Sequence, residues 1–189
     1  MTADQYDCTA AVLAETPDAV VVSNLGIASY VLAAVEDRPR NFYQWGSMGV
    51  TTPVGLGVAL ATDEQVTVLD GDGSALMSLG ALSTVGAADP SNLVAVVFDN
   101  GIYGTTGGQP THAATTDFAA VARGCGLVAE RVDTTPDFEA AYRDAVAHDG
   151  AALIACGVDP VDPDARPPFD YAHIRRRVRM SLTDGPDGE

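Results

Sequence analysis

Five short runs of consecutive apolar residues punctuate the chain, at 20–22, 66–69, 93–98, 127–128 and 152–155. Each is bounded by turn-forming residues, and a run without polar alternation fits a strand buried on both faces, as in a parallel sheet. Between them, Ala and Leu recur at helical spacing over 27–35, 50–61, 74–88, 117–125 and 137–148. Strands alternating with helices predict βαβ crossovers, hence an α/β fold with a doubly wound, mainly parallel sheet and helices on both faces. Ligands bind such sheets at the carboxyl ends of the strands. Three loops leaving predicted strands carry polar turn residues: Ser23-Asn24-Leu25-Gly26, Gly71-Asp72-Gly73 and Asp99-Asn100-Gly101.

A length of 189 residues suits one domain, whose body is expected over 1–158. Residues 159–189 change character: a stretch dense in Pro and Asp precedes three consecutive arginines, Arg175, Arg176 and Arg177. This tail reads as a loop and a short solvated helix, part of the same domain or of an interface, with contact to an acidic partner surface as the alternative. No apolar run approaches the roughly 20 residues that cross a bilayer, and no basic segment leads into an apolar one at the start. The expectation is a cytoplasmic chain with no membrane partner.

The net charge of −16 would repel a nucleic-acid backbone over most of the surface. All ten basic residues are arginine, and with abundant Asp this fits adaptation to high salt, where self-repulsion is screened. The missing lysine excludes a P-loop and Schiff-base chemistry. Cys8, Cys125 and Cys156 are far apart with no Cys-x-x-Cys pair, which supports neither an iron–sulfur cluster nor a disulfide framework.

Gly71-Asp72-Gly73 alone reads equally well as a tight turn. It is not the dinucleotide fingerprint, because Leu76 stands where the third Gly belongs. One βαβ step later comes Asn100, and two oxygen ligands at the ends of neighbouring parallel strands can share a hard cation. Mg²⁺ suits one carboxylate, one amide and a backbone carbonyl completed by phosphates and water. The glycines admit backbone N–H groups to the phosphates, and Ser74 is expected to open the next helix as its N-cap. The physical reading is a magnesium–diphosphate site.

Gly71-Asp72-Gly73 with Asp99-Asn100 resembles the signature of the thiamine diphosphate-dependent enzymes, Gly-Asp-Gly followed one strand later by Asn-Asn or a close variant. Asp99 departs from that signature and leaves the metal-binding amide intact. The resemblance implies Asp72 and Asn100 as side-chain ligands of Mg²⁺ and Ile102 as a carbonyl ligand. Gly46-Ser47-Met48-Gly49 resembles the segment that cradles the aminopyrimidine. By that likeness Met48 wedges between the cofactor's rings, and the Gly46 carbonyl accepts from the 4′-amino group.

A narrower likeness runs over roughly 20–155. Asn41-Phe42-Tyr43 and the segment 99–111, including Ile102-Tyr103-Gly104-Thr105, resemble the sulfopyruvate and phosphonopyruvate decarboxylases. The chain resembles the β subunit of the former, since its short length leaves room for one module. The resemblance implies a hetero-oligomer whose α subunit carries the pyrimidine-binding module and the activating glutamate, acting on a small 2-oxoacid. Glu15, Glu36, Glu64 and Glu130 stand near element ends, where solvated roles are the default. The segment from Tyr103 to His112 is expected to approach the reacting end of the substrate, with Tyr103, Thr105 and His112 as its candidates, His112 for its suitability in proton transfer. Two alternatives stay open: the β chain of a 2-oxoacid:ferredoxin oxidoreductase, and a non-catalytic diphosphate-binding module on the same fold.

Overall fold

The computed structural model describes residues 2–183. Helix α1 (Gln5–Glu15) precedes the first strand and was not foreseen; then come β1 (Val20–Ser23), α2 (Ile27–Val35), β2 (Asn41–Tyr43), α3 (Thr51–Ala59) and β3 (Val66–Gly71). The expected helix over 74–88 is two, α4 (Asp72–Met77) and α5 (Ala81–Ala88), separated at Ser78, Leu79 and Gly80. Next are β4 (Leu93–Asp99), a ribbon of β5 (Ile102–Tyr103) and β6 (Gln109–Pro110), then α6 (Phe118–Gly124), β7 (Val128–Val132), α7 (Thr135–Ala147), β8 (Ala152–Gly157) and α8 (Tyr171–Thr183).

Six strands form one parallel sheet in the order β2-β1-β3-β4-β8-β7; β5 and β6 pair antiparallel outside it. Successive side chains of a strand point to opposite faces. Val21, Leu69, Val94, Val96 and Ile154 therefore pack under α1, α2 and α7, through Val12, Leu32, Phe138 and Tyr142. Val20, Val22, Val68, Ala95 and Leu153 pack under α3, α5 and α6, through Leu56, Val85 and Phe118. Two cores on one sheet are why the apolar runs are continuous. Thr67 is the polar exception, and its hydroxyl hydrogen-bonds the Tyr142 hydroxyl at 2.7 Å, which is shared with Thr16 at 2.8 Å.

The tail is less solvated than its composition implies. Past β8 it crosses the molecule to β2: Arg166 lies over the Tyr30 ring at 4.0 Å, and Trp45 Nε1 donates to the Pro168 carbonyl at 3.0 Å. Trp45 stands edge-on to Phe169, ring centroids 4.7 Å apart. Helix α8 then covers the β2 edge, burying Ile174 against one core and Val178 against the other. The three arginines divide: Arg175 and Arg176 are exposed, while Arg177 grips Asp37 with both terminal nitrogens, at 3.1 and 2.7 Å, and reaches the Asn41 carbonyl. The part of the predicted tail over 184–189 lies outside the described residues.

Burial alone pushes the Asp37 carboxyl upward, but Arg177 and the Tyr43 hydroxyl outweigh it and hold it below its ordinary 3.8. A carboxylate depressed by folding contributes stability above its unfolded value and loses it as pH falls through the lower, folded one. Arg177→Ala is expected to cost about 1–2 kcal/mol at neutral pH. In urea denaturation the deficit should shrink below pH 4.

Candidate functional site

The sheet order reverses between β1 and β3: the chain runs outward from β1 to β2 and then returns to β1's other side. Their following helices lie on opposite faces, and a crevice opens at the carboxyl edge, as expected at a switch point. This cleft of about 520 Å³ is walled by Asn24 and Leu25 from the β1 loop and Ile27 at the start of α2, by Gly71 to Ser74, and by Asn100 and Ile102 to Thr106.

Asp72 opens α4, with extended Gly71 as the capping residue. It is buried, and the Thr111 hydroxyl donates to its carboxylate. Burial, with the nearby Asp99 charge, raises its carboxyl above the ordinary range, against the hydrogen bond from Thr111. Gly73 has no room for a side chain, because a Cβ would run into the Tyr103 ring and press on the Thr111 methyl at 3.1 Å. The Asn100 side-chain oxygen accepts from the Ile102 N–H at 3.0 Å, closing a turn whose next residue, Gly101, sits at φ 72°. Ile102 lies opposite Pro110 in a non-hydrogen-bonded pair, flanked by the bond from the Thr111 N–H to the Gly101 carbonyl at 2.9 Å, so its own carbonyl faces away from β6. Asp99 is neutralised elsewhere, by Arg131 at 3.0 Å.

Ser74 does not cap a helix. It lies inside α4, and its hydroxyl accepts the Gly49 N–H at 2.9 Å. This bond ties the 46–49 segment to the Gly71-Asp72-Gly73 loop, and Met48 enters the cleft from it. The segment is sharply turned: Gly46, Ser47 and Gly49 all have positive φ, and Ser47 at 61° is in a region costly for a residue with a side chain. Gly46 and Ser47 themselves line an adjoining groove of about 310 Å³ with Phe42, Trp45 and Tyr171.

The fold thus gathers Met48, Gly71, Asp72, Gly73, Ser74, Asn100, Ile102, Tyr103 and Gly104 around one cleft. His112 is exposed and is not in its wall. Thr105, Thr106 and Gln109, from the 103–112 segment, line it too; sequence reasoning missed Gln5 and Asp70 as lining residues. Asp70 had a signal, a carboxylate interrupting an apolar strand. It is almost wholly buried, and desolvation pushes its carboxyl up to about 6 against hydrogen bonds from Ser74, the Gly71 N–H, Thr51 and Thr52. Gln5 had none, since it precedes the first recognised element.

Among the described residues no Arg, His or Glu lines the cleft, and its acidic side chains are Asp70 and Asp72. Oxygen donors beside glycine-lined backbone fit a hydrated divalent cation with a diphosphate. Such an arrangement is that of an α/β domain with a glycine-lined binding cleft at the ends of its strands.

Comparison with known proteins agrees. Residues 24–156 match the family model described as thiamine pyrophosphate enzyme, C-terminal TPP binding domain, and the chain belongs to that family. It is 46% identical over 180 residues to a phosphonopyruvate decarboxylase of Streptomyces viridochromogenes, covering 93% of this chain but 45% of that protein. It is 43% identical over 142 residues to the sulfopyruvate decarboxylase subunit beta of Methanocaldococcus jannaschii, covering 75% of this chain and 76% of the relative. The chain therefore spans under half of the first relative and about three quarters of the second. The solved thiamine diphosphate-dependent 4-hydroxybenzoylformate decarboxylase of Rhodococcus jostii superposes with a TM-score of 0.71 at 26% identity, over 84% of this chain and 33% of that one.

Gly73→Ala is expected to destabilise the chain by about 1–3 kcal/mol through overpacking. In a double-mutant cycle followed by chemical denaturation, Tyr103→Ala should recover most of that loss. Additive costs would mean that the ring is not what excludes the methyl group.

Proposed function

We propose that this chain is the β, diphosphate-binding subunit of a thiamine diphosphate- and Mg²⁺-dependent 2-oxoacid decarboxylase that converts sulfopyruvate to sulfoacetaldehyde and carbon dioxide. The observation that supports the reading is a cleft where a carboxylate, an amide and glycine-lined backbone meet at adjacent strand ends. It offers Asp72, Asn100 and the Ile102 carbonyl, but no glutamate and no cationic side chain among the described residues. The relatives named subunit beta, of which this chain covers about three quarters, support a separate α subunit as the source of the rest.

Thiamine diphosphate, when bound, supplies the electron sink for the pair released as the carbon–carbon bond to carbon dioxide breaks. Asp72 would contribute the one formal negative charge to the cation, Asn100 and the Ile102 carbonyl would contribute neutral oxygens, and Gly73 and Ser74 would present backbone N–H groups to phosphate oxygens, the Gly71 N–H being taken by Asp70. Met48, its segment held by the Gly49–Ser74 hydrogen bond, would supply an apolar wedge against the cofactor. Tyr103 and Gly104, on the β5–β6 ribbon, face the cleft and bound the space left for substrate. Recognition of a second acidic group on the substrate needs cations, and we assign these to the α subunit together with the activating glutamate. The lysine-free, acidic exterior suits assembly at high ionic strength, inside the cell.

The 46% identity to a phosphonopyruvate decarboxylase favours one other reading, the same chemistry on a phosphonate substrate. Co-expression with a pyrimidine-binding chain, followed by a panel of sulfopyruvate, phosphonopyruvate and pyruvate, decides between them. The assembled protein should decarboxylate sulfopyruvate fastest, and the chain alone should be inactive; robust turnover by the chain alone would sink the two-subunit reading.

Asp72→Asn is a second test. Loss of outer groups around a bound metal costs about 10–100-fold in affinity, so loss of the carboxylate ligand itself should weaken Mg²⁺-dependent cofactor binding by at least about 100-fold. Because it removes a buried charge while keeping the shape, the ligand-free fold should be no less stable, as thermal unfolding would show.

A further inference from the structure

Gln5 is 2% exposed, and its side-chain oxygen has no hydrogen-bond partner among the described residues. Among the described residues none bonds the other end of its carboxamide either, and the two ends are interchangeable by a flip of the amide. The residue is nevertheless firmly placed. Asp4 caps α1 by accepting the N–H groups of Tyr6 and Asp7, and its own N–H donates to Thr135. Ala3 bridges to Val158, whose N–H is bound by the Asp99 carbonyl. These contacts put the first turn of α1 beside the end of β4, and Gln5 lines the cleft with Ala28 and Phe98, the residue just before Asp99-Asn100. Buried amides are nearly always paired, and a carboxamide held fixed and unpaired at the wall of a cleft is poised for a ligand.

We propose that Gln5 is a further holding residue for the diphosphate group. Its carboxamide N–H donates to an oxygen of the terminal phosphate, and its carbonyl accepts from water brought in with the cation. The placement beside β4 assigns it to the phosphate end, since Met48 shares its wall with Met77, against which Gly49 packs. A neutral amide suits a cleft without cationic side chains, because it adds a donor to phosphate without competing with the metal for Asp72. The proposal rests on the cofactor reading above and extends it to a residue on the helix that precedes the sheet.

The test uses the full chain, alone and assembled with its partner, titrated calorimetrically with Mg²⁺ and thiamine diphosphate, thiamine monophosphate or inorganic diphosphate. Gln5→Met, of similar size, should weaken thiamine diphosphate and inorganic diphosphate by about 10- to 100-fold, the scale of a hydrogen bond to a charged group. Thiamine monophosphate, which lacks the terminal phosphate, should bind the variant and the wild type alike. The unfolding midpoint of the ligand-free variant should hold or rise, because an unpaired buried amide has been removed. Gln5→Glu, which keeps the shape and adds a negative charge, should weaken diphosphate binding further. Equal affinity of Gln5→Met and wild type for thiamine diphosphate overturns the assignment and leaves the cofactor reading standing. So does an unfolding midpoint several degrees lower without ligand, which would mark Gln5 as structural. A wild-type protein that takes up none of the three ligands overturns both.

Discussion

The cleft depends on one register, that of β3 lying parallel to β4 with Gly71 opposite Phe98. From it Asp72 and Asn100 leave adjacent strand ends into one cleft. Because each strand is buried on both faces, a slip by one residue would exchange the side chains of two cores at once. Leu69 and Val96 would leave the α1-α2-α7 side, and Val68 and Ala95 the other. The site's geometry is therefore guarded by hydrophobic packing far from any polar group.

That packing concentrates negative charge where little neutralises it. Asp99 has Arg131, but Asp70 and Asp72 lie buried with only hydroxyl and N–H donors around them. The fold bears a local electrostatic cost that a divalent cation would offset, the usual relation between a binding site and the stability of its scaffold.

Much of this was legible in the sequence, for physical reasons that also mark where legibility ends. Continuous valine-rich runs reveal doubly buried strands, and Gly-Asp-Gly with Asp-Asn-Gly marks two loops that meet at the cleft. Strand β2 was hidden because Asn41, Phe42 and Tyr43 are too few to show periodicity, and α1 because its apolar residues are interrupted by Gln5 and Thr9, both buried. The role of Ser74 was misread because a serine after glycine looks like a cap; only tertiary contact with Gly49 shows otherwise. Arg175 to Arg177 read as one solvated run, yet helical geometry turns Arg177 alone toward Asp37. His112 carries suitable chemistry, but the ribbon that precedes it turns it to solvent.

The strap formed by the tail has an optical consequence. Trp45 is the chain's single tryptophan, set between Tyr30 and Phe169, hydrogen-bonded to Pro168 and one residue from Gly46. Its emission is thus uncontaminated by other indoles and sensitive to both the tail and the turn that carries Met48. The molecule contains its own fluorophore at the hinge between its binding cleft and its C-terminal arm.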